Sequence, residues 1–554
     1  MNANVGGDGD GSEFERVSAR LTAPGAPFAV RDGRYVDGPG TLREFVEATW
    51  AFGDRPFLVA EERTHTYAEF FAAACGLARR LADAYGLRPG DRAVVAMRNH
   101  PEWHIAFWAT QLAGLVAVPL NAWWTEDEFT YALDDCAPGV LLVDGERVER
   151  VRAWAGKHDV PGIVFHPGDE ALPQKFLAYV ADDDPTLGPP PVDVLPEQDA
   201  TIIYTSGTTG RPKGAVATHL AQVGAAINPR YLASASALRR GVIPGQGPAP
   251  VSLTTFPFFH VAAFTSFYAV MAAGGTLVLM RKWDAERALE LIEKHRVTHY
   301  AGVPTTALQL LDLVERRGEA GRLATVSHFN TGGAAAPPHL VGRLTALLGE
   351  RVEPRNGYGL TETCGGVTAN FGAEYRAHPD SVGRPTPVTE VRIDSPDPDS
   401  GVGELWLRGQ SLIRGYWGDE QATREAFTED GWFRTGDLAT YADGRVTVVD
   451  RLKDMVIRGG ENVYCVEVEA VLLDHPAVAD AAVLGVPHPR LGEEVAAVVL
   501  LREDATTTTE ELRDHVGRSL AAFKVPAHIL VRDTPLPRNA AGKVLKRELR
   551  AALG

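Results

Sequence analysis

Hydrophobic and polar residues alternate in two different ways along the first part of the chain. Residues 67–85 have the pattern of an amphipathic helix, whereas residues 92–97 and 140–144 are short apolar runs typical of buried strands. Helices and strands of these kinds follow one another from residue 57 to residue 144. This alternation predicts an α/β layer whose strands are largely parallel.

A second region, residues 251–331, repeats the alternation. It has apolar runs at residues 252–256, 276–280 and 298–302, and a helical pattern at residues 285–295. A segment rich in proline and aspartate, residues 182–196, closes the first region. The sequence therefore predicts two α/β units, and it leaves open whether their sheets are related.

The pattern changes near residue 385, where helices become rare. Strands at residues 390–394 and 403–409 are divided by turns, which predicts a small β subdomain. A last unit, from about residue 450, has helical patterns at 466–473 and 509–520 and strands at 478–486 and 495–501. We therefore predict an α/β fold in which a large N-terminal domain, residues 45–452, contains two layered α/β subdomains and the small β subdomain. A mobile α+β domain, residues 453–554, follows it, and residues 1–44 form an extension that is disordered over residues 1–12.

Composition narrows the range of partners and compartments. A chain of 554 residues is too long for one hydrophobic core, and its formal net charge of −17 argues against nucleic acid as a partner. Its four cysteines are far apart in sequence, which indicates neither a disulfide framework nor a zinc site. The apolar run at residues 105–120 is too short to span a bilayer, and residues 1–12 lack the features of a secretory signal. We expect a cytoplasmic protein without integral membrane association.

Residues 204–214, Tyr-Thr-Ser-Gly-Thr-Thr-Gly-Arg-Pro-Lys-Gly, directly follow an apolar strand at residues 200–204. The glycines let backbone N–H groups approach anionic oxygens, the hydroxyls donate further hydrogen bonds, and Lys213 adds a positive charge. Pro212 and Gly214 flank this lysine, so the segment differs from the P-loop of nucleotide triphosphatases. The sequence predicts a polyphosphate-binding loop of another kind.

Three later segments carry further candidate chemistry. In residues 356–362, Asn-Gly-Tyr-Gly-Leu-Thr-Glu, Tyr358 is suited to stack on a purine and Glu362 to bind Mg²⁺. Residues 431–437 end in Asp437, whose carboxylate suits a ribose diol, and Arg451 is suited to support the same sugar or a phosphate. Residues 535–546 place Lys543 after a glycine, in a turn that would expose its amine.

Together and in this order, the four segments resemble the acyl-CoA synthetase branch of the adenylate-forming superfamily, from about residue 45 to residue 550. The resemblance implies that a carboxylic acid is activated with ATP and Mg²⁺ to an acyl-AMP, and that the acyl group is then transferred to the thiol of CoA. The residues that it assigns to ATP or AMP are Thr205, Ser206, Gly207, Thr208, Thr209, Gly210, Lys213, Gly332, Gly333, Asn356, Gly357, Tyr358, Asp437 and Arg451.

The resemblance also implies individual roles. The catalytic residues are Lys543, His260, Glu362 and Thr361, with Glu362 as the metal ligand. Lys453 is the hinge of the C-terminal domain, and Gly459 and Gly460 face CoA.

The acyl pocket that we expect is lined by His260, Val261, Phe264, Phe267, Gly333, Ala334 and Ala335. Small residues at 331–336 favour a roomy apolar pocket, and hence a hydrophobic acid with a medium or long chain or a bulky ring.

Other functions remain open at this point. The chain could stop at the acyl-AMP, transfer the acyl group to a carrier protein, or be a noncatalytic acyl or nucleotide sensor. Ser381 lies nineteen positions after Glu362, which leaves no room for the long insertion typical of fatty acyl-AMP ligases and so favours CoA. The joint presence of Lys543, Glu362 and Asp437 disfavours a sensor. The expected partners are therefore a small carboxylic acid, ATP and CoA, and the chain could form a homodimer.

Overall fold

A computed structural model describes residues 9–61, 63–182, 184–205, 211–337, 339–539 and 542–553. The first elements are α1 (Gly9–Thr22), β1 (Val30–Arg31), β2 (Arg34–Tyr35) and α2 (Leu42–Thr49). Helix α1 begins inside the stretch predicted to be disordered, because Phe14, Val17 and Leu21 form an apolar stripe that is buried in the main core. Residues 1–8 of that stretch lie outside the described residues.

Two α/β layers make up most of the chain. The elements that follow are β3 (Pro56–Ala60), β4 (Arg63–Thr66), α3 (Tyr67–Arg79), β5 (Arg92–Ala96), α4 (Pro101–Leu112), β6 (Val116–Pro119), α5 (Glu126–Cys136), β7 (Val140–Asp144), α6 (Gly145–His158), β8 (Gly162–Phe165), β9 (Phe176–Ala178), β10 (Asp199–Tyr204) and β11 (Gly214–Thr218). Helix α3 continues into a π-helical turn, Arg80–Ala84.

The second layer begins with a long helix that packs against the first. Its elements are α7 (His219–Arg239), β12 (Val251–Thr254), α8 (Val261–Ala272), β13 (Thr276–Val278), α9 (Ala285–Lys294), β14 (His299–Gly302), α10 (Pro304–Arg317), β15 (His328–Thr331), α11 (His339–Leu348), β16 (Glu353–Leu360), β17 (Gly365–Phe371), α12 (Gly372–Ala377) and β18 (Arg384–Pro385).

The two sheets share one strand order. The first sheet is ordered β21-β11-β10-β6-β5-β7-β8-β9, where β21 (Gly415–Tyr416) comes from later in the chain, and the second is ordered β18-β17-β16-β15-β14-β12-β13-β3-β4. In the first sheet, strands β5 to β9 lie in the order β9-β8-β7-β5-β6, and β10 pairs in parallel with β6. In the second sheet, strands β12 to β16 lie in the equivalent order β16-β15-β14-β12-β13, and β3 pairs in parallel with β13. The halves are therefore topologically related. The prediction that the chain from residue 57 belongs to the first unit was wrong for β3, which pairs with β13.

Hydrophobic cores lie between the two sheets and on their outer faces. The largest core lies between the sheets and includes Trp103, Phe107 and Phe267 from α4 and α8. Two further cores cover the outer faces, with α5 and α6 on the first sheet and α9, α10 and α11 on the second. Helices cover most of both faces of each parallel sheet, so ligands reach the strands mainly at the edges where loops leave the carboxyl ends. The exception is a part of the second sheet, on β14 to β16, that lines a cavity.

The remaining strands form two smaller sheets. The β subdomain contains β19 (Thr389–Asp394), β20 (Gly403–Gly409), α13 (Glu420–Ala426), β22 (Phe433–Ala442) and β23 (Arg445–Arg451), with its four strands paired antiparallel. The C-terminal domain contains β24 (Val456–Arg458), β25 (Glu461–Val463), α14 (Cys465–Leu473), β26 (Val478–His488), β27 (Gly492–Leu501), α15 (Thr509–Ser519), β28 (His528–Arg532) and α16 (Lys546–Leu553).

This architecture confirms the predicted fold class, a large N-terminal domain with two α/β subdomains and a β subdomain, followed by a small α+β domain. The predicted boundary between residues 452 and 453 falls in the connection from β23 to β24. In the described part of the chain, none of the helices combines the length and apolar character needed to cross a membrane.

Candidate active site

One cavity of about 1550 Å³ lies where the two sheets, the β subdomain and the C-terminal domain meet. Its wall includes Lys213 and Glu362 from the N-terminal domain, Arg451 from the β subdomain, and Lys453 and Lys543 from the C-terminal side. Residues separated by more than 300 positions in the sequence thus face the same space.

The predicted phosphate loop joins two antiparallel strands, β10 and β11, of the first sheet. The backbone N–H of Thr205 donates to the carbonyl of Lys213 at 2.9 Å, and the N–H of Lys213 donates to Oγ1 of Thr205 at 3.3 Å, so the two ends of the loop are held together. The Lys213 ammonium lies 5.2 Å from the ring centroid of Tyr416, in a cation–π contact that fixes its position beside the cavity. The candidate residues Ser206, Gly207, Thr208, Thr209 and Gly210 lie outside the described residues.

Glu362 lies in a short 3-10 turn, Thr361–Thr363, directly after β16. The Tyr416 hydroxyl donates to its Oε1 at 2.8 Å, and among the described residues no basic side chain forms an ion pair with it. Burial raises the pKa of this carboxyl above its usual range. A half-buried carboxylate that accepts from a hydroxyl and has no ion-pair partner among the described residues suits a hard divalent cation, so Glu362 fits the role of a Mg²⁺ ligand. Thr361 lines the cavity next to it.

Asp437 and Arg451 are cross-strand partners on β22 and β23. Arg451 Nε lies 3.5 Å from Asp437 Oδ1, and the Tyr358 hydroxyl donates to Oδ2 at 2.5 Å. Asp437 is thereby fixed by two elements, and its oxygens keep lone pairs for a ribose diol. Tyr358 was expected to stack on a purine, and the structure gives it a second task, because its hydroxyl connects β16 to the β subdomain.

The remaining predicted nucleotide residues lie at the ends of β15 and within β16. Gly332 and Gly333 line the cavity, and Gly333 has a φ of +77°, which favours glycine. At Gly357 a Cβ would come within 2.9 Å of the Thr368 carbonyl oxygen, so the strand pairing requires glycine there. Asn356 accepts a hydrogen bond from the Gly357 N–H at 2.8 Å and also lines the cavity.

His260 caps the N-terminus of α8. Its Nδ1 accepts from the N–H of Ala262 at 3.2 Å, which places the proton of the neutral ring on Nε2. Burial lowers the pKa of His260 to about 4, so the ring is neutral at pH 7. His260 and Val261 both line the cavity.

Other predicted acyl-pocket residues do not line the cavity. Phe264 and Phe267 are fully buried against Trp103 and Phe107 of α4, on the opposite side of α8. The cavity side of α8 carries smaller residues at helical spacing, Ala262, Thr265, Ser266, Ala269 and Val270. Ala334 and Ala335 follow Gly333, and neither is part of the wall. These four assignments were wrong because the large side chains fill the core, and the chain leaves the strand edge after Gly333.

Lys543 reaches the cavity from a turn of the C-terminal domain. Its N–H donates to Oδ1 of Asn539 at 2.9 Å, and Gly542 before it has a φ of +77°. Burial, together with the positive charges of Arg451 and Lys453, lowers the pKa of Lys543 to about 7. A bound anion would raise the pKa of Lys543 again, because its negative charge stabilises the protonated amine.

The proposed CoA-facing residues are elsewhere. Gly459 and Gly460 form the exposed turn between β24 and β25, with φ values of +62° and +93°, and neither lines the cavity. Lys453 lines it from the connection after β23.

Several cavity residues were missed by the sequence analysis. Tyr416 holds both Glu362 and Lys213, but it belongs to a two-residue strand without a recognisable pattern. Thr435 lies two residues before Asp437 and accepts the N–H of that residue at 3.1 Å. Further polar residues of the wall that were not predicted include Arg240, His299, His328, Asn330 and Arg355.

Comparison with known proteins agrees with this geometry. The family model of AMP-binding enzymes matches residues 45–417, and that of the AMP-binding enzyme C-terminal domain matches residues 467–543. A long-chain-fatty-acid–CoA ligase of Mycobacterium tuberculosis is 33% identical over 495 residues, which cover 88% of this chain and 92% of that protein. A feruloyl-CoA synthase of an Amycolatopsis species is 35% identical over 495 residues, covering 88% and 94%.

Among solved structures, the o-succinylbenzoate CoA synthetase of Bacillus subtilis, in complex with its acyl-adenylate intermediate, matches with a TM-score of 0.75. It is 29% identical, and the match covers 91% of this chain and 97% of that one. The chain therefore belongs to the AMP-binding enzymes of the adenylate-forming superfamily.

Proposed function

We propose that this protein is an acyl-CoA ligase that uses ATP to join a hydrophobic carboxylic acid to CoA. The observation that carries the proposal is the convergence of Lys543, Glu362, Lys213 and the Asp437–Arg451 pair on the cavity that His260 also lines. This set provides positive charge, a metal ligand and a ribose site around one space, which is what adenylation of an acid requires.

In the first half-reaction a carboxylate oxygen attacks the α-phosphorus of ATP, and pyrophosphate leaves with the electron pair of the broken P–O bond. Attack by one anion on another is opposed by charge repulsion, which costs about 4 kcal/mol for a unit pair at about 4 Å and an effective dielectric of about 20. Lys543 and Lys213 offset this repulsion at the phosphates, and Asp437 orients the ribose. Mg²⁺ held by Glu362 would supply further positive charge against the phosphate oxygens.

His260 orients the acid. Because its Nδ1 accepts from the Ala262 N–H, the neutral ring keeps Nε2–H as a hydrogen-bond donor. Its depressed pKa means that this donor does not titrate near pH 7. A carboxylate at the junction of the acyl and nucleotide regions can therefore be held without a competing positive charge on the ring.

In the second half-reaction the CoA sulfur attacks the acyl carbonyl, AMP leaves, and the thiol proton passes to solvent. Lys543 occupies the same cavity as the predicted acid, so we propose that the C-terminal domain rotates about Lys453 before the thiol enters. The exposed turn at Gly459 and Gly460 would then face the cavity, where the lack of a Cβ allows close approach of the pantetheine.

The acid is proposed to have an apolar body. The wall formed by α7 and α8 presents Leu232, Ala233, Ala237, Ala269 and Val270 to the cavity. Small side chains leave the space that a long chain or ring would fill. The cytoplasm is the proposed location, supported by four buried cysteines that are all unpaired. The homodimer stays a prediction, which light scattering of the purified protein would check.

Mass spectrometry of acyl-AMP and acyl-CoA, after incubation with ATP, Mg²⁺ and a panel of acids, tests the proposal. With CoA present we expect the thioester of one acid class, and without CoA the matching acyl-AMP. An adenylate that persists in the presence of CoA would instead favour an enzyme that stops at the acyl-AMP or loads a carrier protein.

A further inference from the structure

The cavity extends from His260 along one face of the second sheet, and this face is polar. We name it the polar floor, and its members are His299 on β14, His328 and Asn330 on β15, and Arg355 on β16. Strand pairing places His299 beside His328, and Asn330 beside Arg355. The alternate residues Tyr300 and Phe329 point to the opposite face and stack at 4.4 Å in the outer core.

The polar floor is remote from the reacting end. From Gly332, beside the nucleotide region, to His328 is four residues of strand, or about 13 Å at the usual rise. The wall facing the floor is apolar, because α7 contributes Leu232 and Ala237 there. An acid in this cavity would therefore lie between an apolar wall and a floor whose polar groups concentrate at its far end.

At the far end of the cavity lie two arginines, and only some of their N–H groups donate to acceptors within the protein. Arg240 Nε lies 3.1 Å from Glu353 Oε2, and Arg355 Nε donates to Glu353 Oε1 at 2.6 Å. Arg355 Nη2 also bonds to Ser236 Oγ at 3.3 Å. Within the described ranges, the terminal nitrogens of Arg240 and the Nη1 of Arg355 have no acceptor. Because Arg240 and Arg355 share the single carboxylate of Glu353, the three side chains have a net charge of +1 beside the cavity.

The two imidazoles add neutral polar groups. Their rings are parallel, with centroids 4.2 Å apart, and each Nδ1 is bonded to the hydroxyl of the preceding residue, Thr298 or Ser327. Burial and the nearby arginines lower the pKa of His299 to about 3 and also lower that of His328, so both rings are neutral at pH 7. Each hydroxyl also donates to a backbone carbonyl, Thr298 to Val251 at 3.2 Å and Ser327 to Thr298 at 3.1 Å, so the tautomer of each ring depends on which acceptor takes the hydroxyl proton. The donors that do not depend on a tautomer are those of the arginines and of Asn330. Across the part of the chain that the structure describes, neither Nε2 has a partner.

Hydrogen-bond donors without a protein acceptor, together with a net positive charge, favour a ligand that has acceptor oxygens. We propose that the polar floor and Arg240 bind a second oxygen function, a carbonyl or carboxylate, at the end of the substrate acid remote from its reacting carboxyl. This inference rests on the proposed acyl-CoA ligase activity and narrows its substrate to acids with an apolar body and a distal oxygen. A site built to donate hydrogen bonds discriminates strongly against an analogue that lacks the acceptor.

The test compares matched acids. Straight-chain acids of eight to twelve carbons are assayed for pyrophosphate release, each as the parent acid, as the ketone at the penultimate carbon and as the dicarboxylic acid. We expect kcat/KM for an oxygenated acid to exceed that of its parent by at least about tenfold at the best length. Preference for the dicarboxylic acid would identify the distal group as a carboxylate, and preference for the ketone as a carbonyl.

Two variants locate the effect. Arg240→Gln is expected to bring the ratio of oxygenated to parent kcat/KM down to within a few-fold of one. Asn330→Ala, whose native amide makes no hydrogen bond with the described residues, should lower the ratio with little risk to folding. Arg424→Gln is the matched control, because Arg424 is 65% exposed on α13 away from the cavity, and it should keep the ratio.

The outcomes separate this inference from the proposed function. Equal kcat/KM for parent and oxygenated acids at every length, with no change of ratio in either cavity variant, would overturn the distal site but leave the ligase intact. Failure of every acid to release pyrophosphate or form a thioester would overturn the proposed function itself.

Discussion

Replacement of Lys543 by alanine should separate the two half-reactions. The amine enters the cavity from the C-terminal domain, and no other described lysine or arginine of that domain beyond Lys453 lines it. If Lys543 opposes one unit of developing negative charge at about 4 Å, with an effective dielectric of about 20, its removal costs about 4 kcal/mol. The rate of acyl-AMP formation should therefore fall about a thousandfold.

The assay measures each half-reaction alone. Acyl-AMP formation is followed by pyrophosphate release in a single turnover without CoA, and thioester formation is followed from supplied acyl-AMP and CoA. We expect the first rate to collapse and the second to stay within about threefold of the wild type, because Lys543 leaves the site when the domain rotates. Lys157→Ala, on the exposed end of α6, is the matched control. Equal loss of both rates would refute the assignment of Lys543 to adenylation.

Three further predictions concern the nucleotide site. Tyr358→Phe removes the hydroxyl that fixes Asp437 and should raise KM for ATP about tenfold with a smaller change in kcat; an unchanged KM would show that Asp437 does not need this bond. Glu362→Gln should raise the Mg²⁺ concentration for half-maximal activity at least about tenfold, and an unchanged Mg²⁺ titration would exclude Glu362 as a ligand. The pKa of Lys543 is lowered to about 7 on folding, whereas the unfolded chain keeps that proton up to higher pH, so stability rises with pH above about 7. Wild type should therefore gain Tm relative to Lys543→Met between pH 7 and pH 10, and parallel Tm profiles would contradict the buried amine.

Local pattern was sufficient for many elements of the fold. The strands at residues 140–144 and 403–409 have the bounds that the sequence predicted, because short apolar or alternating runs between turns depend on nearby residues only. Pairing between distant strands is not encoded locally. Strand β3 joins the second sheet although it precedes every strand of the first, which the order of elements along the chain cannot indicate.

The nucleotide part of the site was also accessible from sequence. Glycines, hydroxyls and charges occur there in compact segments, and the structure brings Thr205, Lys213, Glu362 and Lys543 to one cavity. Tyr416 could not be found in this way, since its role depends on its position between Glu362 and Lys213 in space.

The acyl pocket shows where residue type misleads. Helix α8 is apolar on almost every side, so its periodicity does not indicate which face meets the cavity. The phenylalanines near His260 suggested a pocket wall, but large side chains pack into the core and small ones leave the open space. The polar floor did leave a signal. His299 and His328 alternate with aromatic residues on strands covered on both sides, where polar side chains must face a cavity rather than solvent.

The central claim is that this cavity activates acids as adenylates, and exchange of labelled pyrophosphate into ATP, measured without CoA, tests it most directly. We expect exchange that depends on both the acid and Mg²⁺ and that is lost in Lys543→Ala. Absence of exchange with an acid that the wild-type enzyme converts to a thioester would contradict activation through an acyl-AMP.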